Sequence, residues 1–253
     1  MKRVLLACVL AGSFLPAGAR ASDPSALWKI VSQKCVPHQQ ADHDPSPCAL
    51  VDIRDGVAKG YVLLKDIAGI AQFLLIPTAR ISGIEDPAVL APGATNYFEA
   101  AWKERHFVDE RLHAPVPRDA MTLAINSVYG RTQDQLHIHI DCIRVDVRAS
   151  IGANLDKVGD DWAPFPVLLA GHHYRAIRID GKTLADANPF RLLVDKDPQA
   201  AKEMDKHTLV VAGETFRPGD DGFVLLDGKA DAATGNAGSG EELQDHACKV
   251  MGE

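Results

Sequence analysis

The segment Gln135–Asp141 alternates polar and apolar residues at every position. Side chains along a β-strand point to opposite faces, so Leu136, Ile138 and Ile140 are expected to enter a core while the polar residues share the other face. Such alternation is typical of antiparallel sheets, which commonly bury one face and leave the other open. The segment therefore predicts a strand of an antiparallel sheet, which we expect to continue to Val145.

Other strands and a few helices are predicted along the rest of the chain. Short runs rich in Val, Ile, Leu and aromatic residues, bounded by turn residues, are typical of strands. These runs are 61–64, 72–76, 121–125, 174–179, 208–212 and 222–226. Helical patterns cover Leu27–Cys35, Asn96–Leu112 and Glu241–Val250. Strands linked by short turns, together with flanking helices and a C-terminal extension, predict an α+β fold.

The N-terminus has the pattern of an export signal. Two basic residues precede the apolar run Val4–Leu15, and the small-x-small sequence Ala19-Arg20-Ala21 follows. This combination predicts a cleaved signal peptide over residues 1–21. A retained N-terminal anchor is the alternative, although the apolar run is shorter than the roughly 20 residues that span a membrane. We expect an exported protein, in the periplasm or at the periplasmic face of the inner membrane.

Net charge restricts the class of partner. The chain has 27 Lys and Arg against 34 Asp and Glu, a formal net charge of −7. Removal of residues 1–21 takes away basic residues only and makes the charge more negative. Nucleic-acid binding needs a basic surface, so nucleic acid is not an expected partner, and adhesion to an anionic membrane by charge alone is disfavoured.

The cysteines predict disulfides. Cys8 lies in the predicted signal peptide, and four cysteines remain after its removal. In an oxidising compartment an even number favours two disulfides, for which three connectivities exist. We pair Cys35 with Cys48 because they are close in sequence, which leaves Cys142 with Cys248. Zinc is the alternative, but no two of the cysteines have C-x-x-C spacing.

Two histidines on the alternating strand are the candidates for chemistry. His137 and His139 are expected on one face about 6–7 Å apart, since a strand rises about 3.3 Å per residue. That distance suits two metal ligands, or a nucleophile beside a group that binds phosphate. No other histidine falls into a local ligand pattern, although His172-His173 could approach the pair from a loop. A nucleophilic role for the pair requires no metal, and we expect none. A neutral imidazole at His137 can attack phosphorus and form a phosphoramidate, which water then resolves.

Neutral hydrogen-bonding residues precede the two histidines. Asn126, Thr132 and Gln133 on the preceding loop, and Gln135 at the start of the strand, can donate hydrogen bonds to phosphoryl oxygens. Each of them alone suits a loop-capping role equally well, and only the cluster is informative. A non-enzymatic exported protein that binds a metal or another ligand through its histidine pair therefore remains an alternative.

Several motifs occur in a characteristic order through nearly the whole mature chain. They are Leu27–Val31 with Cys35, Pro45–Cys48, Gly60–Asp66, Gln72–Thr78, Asn126–Ile140, Cys142–Arg148 and Gln244–Cys248. The segment Asn126–Ile140 resembles the signature of the histidine triad (HIT) superfamily. The whole series more closely resembles the bacterial CDP-diacylglycerol pyrophosphatase family. The resemblance implies a single HIT-like domain over residues 22–253.

The resemblance also implies an activity. It implies a hydrolase without a cofactor that cleaves the pyrophosphate bond of CDP-diacylglycerol to CMP and phosphatidate, with the membrane surface as the source of its substrate. In the superfamily the middle histidine of the triad is the nucleophile and the last one binds phosphate oxygens. These positions correspond to His137 and His139. Asn126 and Thr132 match the phosphate-contacting positions.

Other family positions are partly matched. Asp66, with Lys65 beside it, matches the acidic residue that holds the nucleotide ribose. The first triad histidine is replaced by Gln135, and the histidine that usually opens the preceding strand is replaced by Gln72. Because a glutamine cannot take a proton, a general-acid role at these two positions is not implied. A cytidylyltransferase, which passes CMP to an acceptor other than water, would use the same intermediate and is an alternative.

Overall fold

The computed structural model describes residues 23–252. The predicted signal peptide, residues 1–21, lies outside the described residues. Within 23–252, no helix combines the length and the apolar character that a membrane span requires.

The described chain forms one sheet of nine strands. The strands are β1 (Leu50–Asp52), β2 (Tyr61–Lys65), β3 (Phe73–Pro77), β4 (Met121–Ile125), β5 (Ile138–Cys142), β6 (Ala163–Pro164), β7 (Tyr174–Asp180), β8 (His207–Arg217) and β9 (Asp220–Lys229). Their order across the sheet is β1-β2-β3-β5-β4-β8-β9-β7-β6. Every pair is antiparallel. The prediction of an α+β fold with an antiparallel sheet is confirmed.

Six α-helices flank this sheet in the described part of the chain. They are α1 (Ala26–Ile30), α2 (Val36–Asp42), α3 (Tyr97–Glu104), α4 (His106–Leu112), α5 (Val145–Gly152) and α6 (Pro189–Lys196). A π-helical turn, Val31–Cys35, joins α1 to α2 without interruption. Short 3₁₀ turns include Met204–Lys206, Gly240–Leu243 and Lys249–Gly252.

Different layers cover the two faces of the sheet near β5. On one face, Ile138 and Ile140 are fully buried in the main core, which also contains Phe98 and Trp102 of α3. On the other face, α1 and α2 pack on the apolar side chains of β2 and β3, including Leu74, and form a second core. The predicted inward positions of the alternating strand are therefore confirmed.

The C-terminal segment covers the same face as α1 and α2, but over β4 and β8. Its turn Gly240–Leu243 contacts both strands. A Cβ at Gly240 would lie 2.8 Å from Thr208 Oγ1 and 2.8 Å from the Val210 side chain, so the segment approaches the sheet too closely for a larger residue. The polar side of β5 thus lies between the N-terminal helices and the C-terminal segment.

Two predicted boundaries at the C-terminal side are wrong. The strand predicted to reach Val145 ends at Cys142, and Val145 begins α5. The helix predicted at Glu241–Val250 is instead two 3₁₀ turns, because Gln244 forms a β-bridge with Ile143. Pairing with the chain that follows β5 thus replaces helical hydrogen bonding in this segment.

The predicted helix Asn96–Leu112 is divided into α3 and α4 at Arg105. The Arg105 guanidinium donates to the Trp102 carbonyl oxygen at 2.6 Å, so this acceptor is occupied by a side chain. The predicted helix Leu27–Cys35 continues to Asp42 through the π-turn.

The structure contains the two expected disulfides, Cys35–Cys48 and Cys142–Cys248. The first joins the end of the π-turn to the segment that leads into β1. The second joins the last residue of β5 to the C-terminal segment.

Candidate functional site

His137 and His139 lie together at the start of β5. His137 directly precedes the strand, and His139 is its second residue. Their ring centroids are 4.8 Å apart with an interplanar angle of 67°. Both side chains are buried, with exposed fractions of 7% and 4%. The two imidazoles therefore form a compact pair on the polar face.

The backbone fixes the tautomer of His137. Its Nδ1 lies 2.7 Å from the carbonyl oxygen of Gln135. A carbonyl can only accept, so Nδ1 carries the hydrogen and Nε2 keeps its lone pair. Burial lowers the pKa of His137 below its ordinary value of about 6.5. Near neutral pH the side chain is therefore a neutral imidazole with a nucleophilic Nε2.

His139 has the opposite arrangement. Its Nδ1 lies 2.6 Å from the amide nitrogen of Gln72, and burial lowers its pKa well below the ordinary value. In the tautomer in which Gln72 donates to Nδ1, Nε2 carries the hydrogen. Within residues 23–252 this Nε2 is buried and has no hydrogen-bond partner. A buried donor without a partner is costly unless a ligand satisfies it, and a phosphoryl oxygen would do so.

Glu241 connects the side chains around the histidine pair. Its Oε2 accepts from the amide nitrogen of Asn126 at 2.7 Å, and its Oε1 accepts from that of Gln72 at 3.2 Å. The same Oε1 lies 3.1 Å from His139 Nδ1. The carboxylate thus holds both amides, and its negative charge raises the pKa of His137, although burial outweighs this effect.

Sequence reasoning missed Glu241 as a site residue. The sequence pattern predicted that Glu241 lies in a C-terminal helix. Glu241 is 115 residues from Asn126, so no local sequence pattern connects the two. A usable signal was present nonetheless. The acidic pair Glu241-Glu242 follows a glycine-rich stretch and directly precedes the motif Gln244–Cys248.

A second acidic group lies deeper on the same face. Asp141 is fully buried, and its Oδ2 lies 2.8 Å from Nδ1 of His246. Burial raises the pKa of Asp141, and the hydrogen bond to Asp141 raises the pKa of His246. His246 Nε2 also lies 3.8 Å from Glu241 Oε1. The C-terminal segment therefore supplies two of the charged groups around the histidine pair.

The four predicted phosphate-binding residues have different surroundings. Asn126 lies within the cluster, where its Oδ1 accepts from the Glu241 backbone at 3.4 Å. Thr132 is exposed on the loop before β5. Gln133 is bonded to the start of α1, since its Oε1 accepts from the Leu27 backbone at 3.1 Å. Of these three residues, Asn126 is the one that the fold links to His139, because both contact the Glu241 carboxylate.

Gln135 is directed toward the end of β3 instead of the histidine rings. Its amide nitrogen donates to the carbonyl oxygens of Pro77 and Ala79, at 3.1 and 2.9 Å. The side chain thereby fixes the backbone from which the Gln135 carbonyl holds His137. In this position Gln135 orients the His137 ring indirectly, through its backbone.

The two predicted nucleotide-binding residues lie beside the β2–β3 turn. Lys65 Nζ donates to the carbonyl oxygens of Asp66 and Gly69, at 2.6 and 3.0 Å, and so stabilises the turn. The Asp66 carboxylate accepts from the Ala68 backbone at 3.1 Å. Its charge raises the pKa of His246, so Asp66 is electrostatically part of the site.

One group of residues within 23–252 has the spacing of a metal site. It consists of Asp141, Cys142 and Cys248. The two sulfur atoms are joined in a disulfide and therefore offer no thiolate. The histidine pair is not part of this group.

Comparisons with known proteins show the family of the chain. The model of the CDP-diacylglycerol pyrophosphatase family matches residues 22–252. The chain belongs to this family. It is also 43% identical over 247 residues to a CDP-diacylglycerol pyrophosphatase of Yersinia pestis, with 98% of this chain and 93% of the relative covered. Family membership therefore extends over the N-terminal helices, the sheet and the C-terminal segment that carries Glu241. The family resemblance predicted from the sequence is confirmed.

Proposed function

We propose that this protein hydrolyses the pyrophosphate bond of CDP-diacylglycerol to CMP and phosphatidate, with His137 as the nucleophile. Membership of the CDP-diacylglycerol pyrophosphatase family supports the substrate and the reaction class. The observation that carries the mechanism is the contact of His137 Nδ1 with a carbonyl oxygen, because it leaves the Nε2 lone pair free in a neutral ring.

The reaction proceeds in two displacements at one phosphorus atom. His137 Nε2 attacks the phosphorus that bears cytidine, the bond from this phosphorus to the bridging oxygen breaks, and phosphatidate leaves with the electron pair. Water then attacks the cytidylyl-histidine, the N–P bond breaks, and CMP and the free imidazole are released with one proton from the water. A phosphate monoester is a good leaving group, so the first step needs little acid assistance.

The surrounding side chains stabilise the charge that develops on phosphorus-bound oxygens. His139 Nε2–H and the Asn126 amide are the donors, and the hydrogen bond from Gln72 keeps His139 in the donating tautomer. Glu241 positions both amides, since it accepts from each of them. Preorganised donors of this kind account for a large part of enzymatic charge stabilisation.

Export to the periplasm and access to substrate at a membrane surface belong to the same proposal. The basic, apolar and small-x-small sequence of residues 1–21 supports export. The substrate itself is a lipid, so the enzyme must take it from a membrane or another lipid assembly. The acidic net charge makes nucleic acid an unsuitable partner.

A product assay tests the proposed activity. Purified protein is incubated with CDP-dipalmitoylglycerol in mixed micelles, with and without glycerol, and CMP, phosphatidate and any CMP ester are measured. We expect CMP and phosphatidate in equal amounts in both conditions. A CMP ester that replaces CMP when glycerol is present would identify a transferase. The absence of any cleavage by the wild-type protein would contradict the proposal.

A further inference from the structure

A large cavity lies outside the histidine cluster. Its volume is about 1120 Å³, which is at the upper end of the size of small-molecule sites. One wall is the loop before β7, residues 168–173, and the other is the loop after β9, residues 230–237. Tyr129 and the paired lysines Lys206 and Lys229 complete the lining. None of these residues has a place in the proposed chemical steps.

The cavity opens at the same edge of the sheet as His137. Because neighbouring strands are antiparallel, the end of β4 meets the starts of β5 and β8 at one edge. Asn126 follows β4 and His137 precedes β5, while Lys206 directly precedes β8. Asp66 lies on the side of the histidines toward the other edge, since its backbone pairs with Gln72 just before β3.

The cavity and the histidine site share two pieces of structure. The first is the loop after β4, in which Asn126 faces the site and Tyr129 lines the cavity. This loop is fixed to the cavity wall by Ser127 Oγ, which donates to the Ala237 carbonyl oxygen at 2.7 Å. The second is the turn that contains Glu241 and Glu242.

The two glutamates of that turn contact different regions, since Glu241 contacts the histidine site and Glu242 contacts the cavity wall. Glu241 contacts Asn126 and Gln72 in the site, whereas Glu242 Oε1 lies 2.8 Å from His172 Nδ1 and accepts from the Tyr174 hydroxyl at 2.6 Å. His172 belongs to the cavity wall. The turn therefore borders both the histidine site and the cavity.

The cavity presents apolar side chains to solvent. Leu168 is 50% exposed and Tyr129 is 59% exposed, while Ala230 and Ala237 add small apolar surfaces. Lys206 is paired with Glu203 at 3.0 Å, and Lys229 is paired with the same carboxylate. Clustered exposed apolar side chains at a concave surface typically mark a binding site.

We propose that this cavity binds the acyl part of the diacylglycerol moiety of the substrate. The inference rests on the proposed function, because the nucleotide and the lipid are different substituents of the attacked phosphorus and extend away from each other. With the nucleotide on the side of Asp66, the lipid extends past Asn126 toward Tyr129 and Leu168. Burial of methylene groups there contributes binding free energy that a deacylated substrate lacks.

Substitutions in one loop test this proposal. Ala237→Trp places a large side chain in the cavity at an exposed position, so the fold should tolerate it. Ala233→Trp is the matched control, because Ala233 is exposed on the same loop but does not line the cavity. Each protein is assayed with monomeric dihexanoyl CDP-diacylglycerol and with CDP-glycerol, which has the same head group and no acyl chain.

We expect wild type and Ala233→Trp to prefer the acylated substrate in kcat/KM by about tenfold or more. We expect Ala237→Trp to lose this preference, because its kcat/KM falls much more for the acylated substrate than for CDP-glycerol. Equal losses on both substrates, no loss on either, or a wild type without any acyl preference would overturn the cavity assignment. Failure of wild type to cleave either substrate would instead overturn the proposed function.

Discussion

At the scale of single residues, the candidate chemistry depends on which ring nitrogen carries hydrogen. The backbone carbonyl of Gln135 leaves the lone pair of His137 on Nε2, which suits the proposed nucleophile. A hydrogen bond donated by the Gln72 amide leaves the hydrogen of His139 on Nε2, which suits the proposed phosphate donor. The proposed roles therefore require no proton transfer from Gln72 or Gln135.

The protonation of His137 predicts the acidic limb of the pH profile. Burial lowers its pKa, so the nucleophilic neutral form persists below pH 6.5 and is lost only as the pH falls through this lowered value. We expect kcat/KM to fall at acidic pH with a midpoint below about 6.5. A profile measured with CDP-glycerol avoids changes in micelles. A midpoint above 7 would contradict a buried, neutral nucleophile.

Removal of the charge of Glu241 should shift the acidic limb of the pH profile of kcat/KM. Glu241 raises the pKa of His137 electrostatically, so Glu241→Gln should shift the acidic midpoint of kcat/KM to lower pH. We also expect kcat at pH 7 to fall by about tenfold, because the amides of Asn126 and Gln72 lose a charged acceptor. Glu242→Gln is the control, since Glu242 faces His172, and it should leave the midpoint in place. An unchanged midpoint in Glu241→Gln would show that its role is only structural.

At the scale of secondary-structure elements, the sequence predicts the strand that carries the two histidines. It does not predict which distant residues contact them. Alternation in Gln135–Asp141 predicted the burial of Ile138 and Ile140 because it depends on local geometry alone. The contact of Glu241 with Asn126 depends on how the C-terminal segment packs over β4 and β8. Local periodicity carries no information about such long-range contacts. For the same reason, it wrongly predicted a helix at Glu241–Val250, where the structure has two 3₁₀ turns.

The disulfide at the end of β5 should couple stability to activity. Cys142→Ala combined with Cys248→Ala opens a link across 106 residues, and loss of such a link costs about 5 kcal/mol in the free energy of unfolding. We also expect kcat to fall in the folded double variant, because the segment with Glu241 and His246 is no longer tied to β5. Denaturant unfolding and kcat at a temperature where the variant is folded measure the two effects.

The other disulfide provides the comparison. Cys35→Ala with Cys48→Ala opens a link across 13 residues and should cost about 3 kcal/mol. This link lies over β1 and β2, away from Glu241, so kcat of the folded variant should remain close to wild type. Equal losses of kcat in both double variants would contradict a specific role of Cys142–Cys248.

At the scale of the whole molecule, the site lies on one face of the sheet between two coverings, which are the N-terminal helices and the C-terminal segment. The N-terminal helices protect one half of the polar face, and the C-terminal segment protects the other. Family membership over residues 22–252 includes both coverings, of which the C-terminal segment places Glu241 and His246 beside the histidine pair. A buried carboxyl group far from the site should also affect the free energy of unfolding.

Glu214 on β8 provides such a position. Burial raises its pKa to about 8, so between about pH 5 and pH 8 the folded protein keeps a proton that the unfolded chain releases. The free energy of unfolding should therefore fall in this window as pH rises, by up to about 1.4 kcal/mol per unit. We expect Glu214→Gln to gain stability relative to wild type from pH 5 to pH 8, with unchanged kcat. A stability difference independent of pH in denaturant unfolding would refute this.

The central claim is that His137 carries the cytidylyl group during turnover. The most direct measurement uses CDP-diacylglycerol labelled in the phosphate that bears cytidine, with rapid quenching in alkali, where phosphoramidates persist, followed by mapping of the labelled peptide. We predict label on His137 in the wild type, and neither label nor turnover in His137→Ala. Normal turnover in His137→Ala, or label on another residue, would contradict the account.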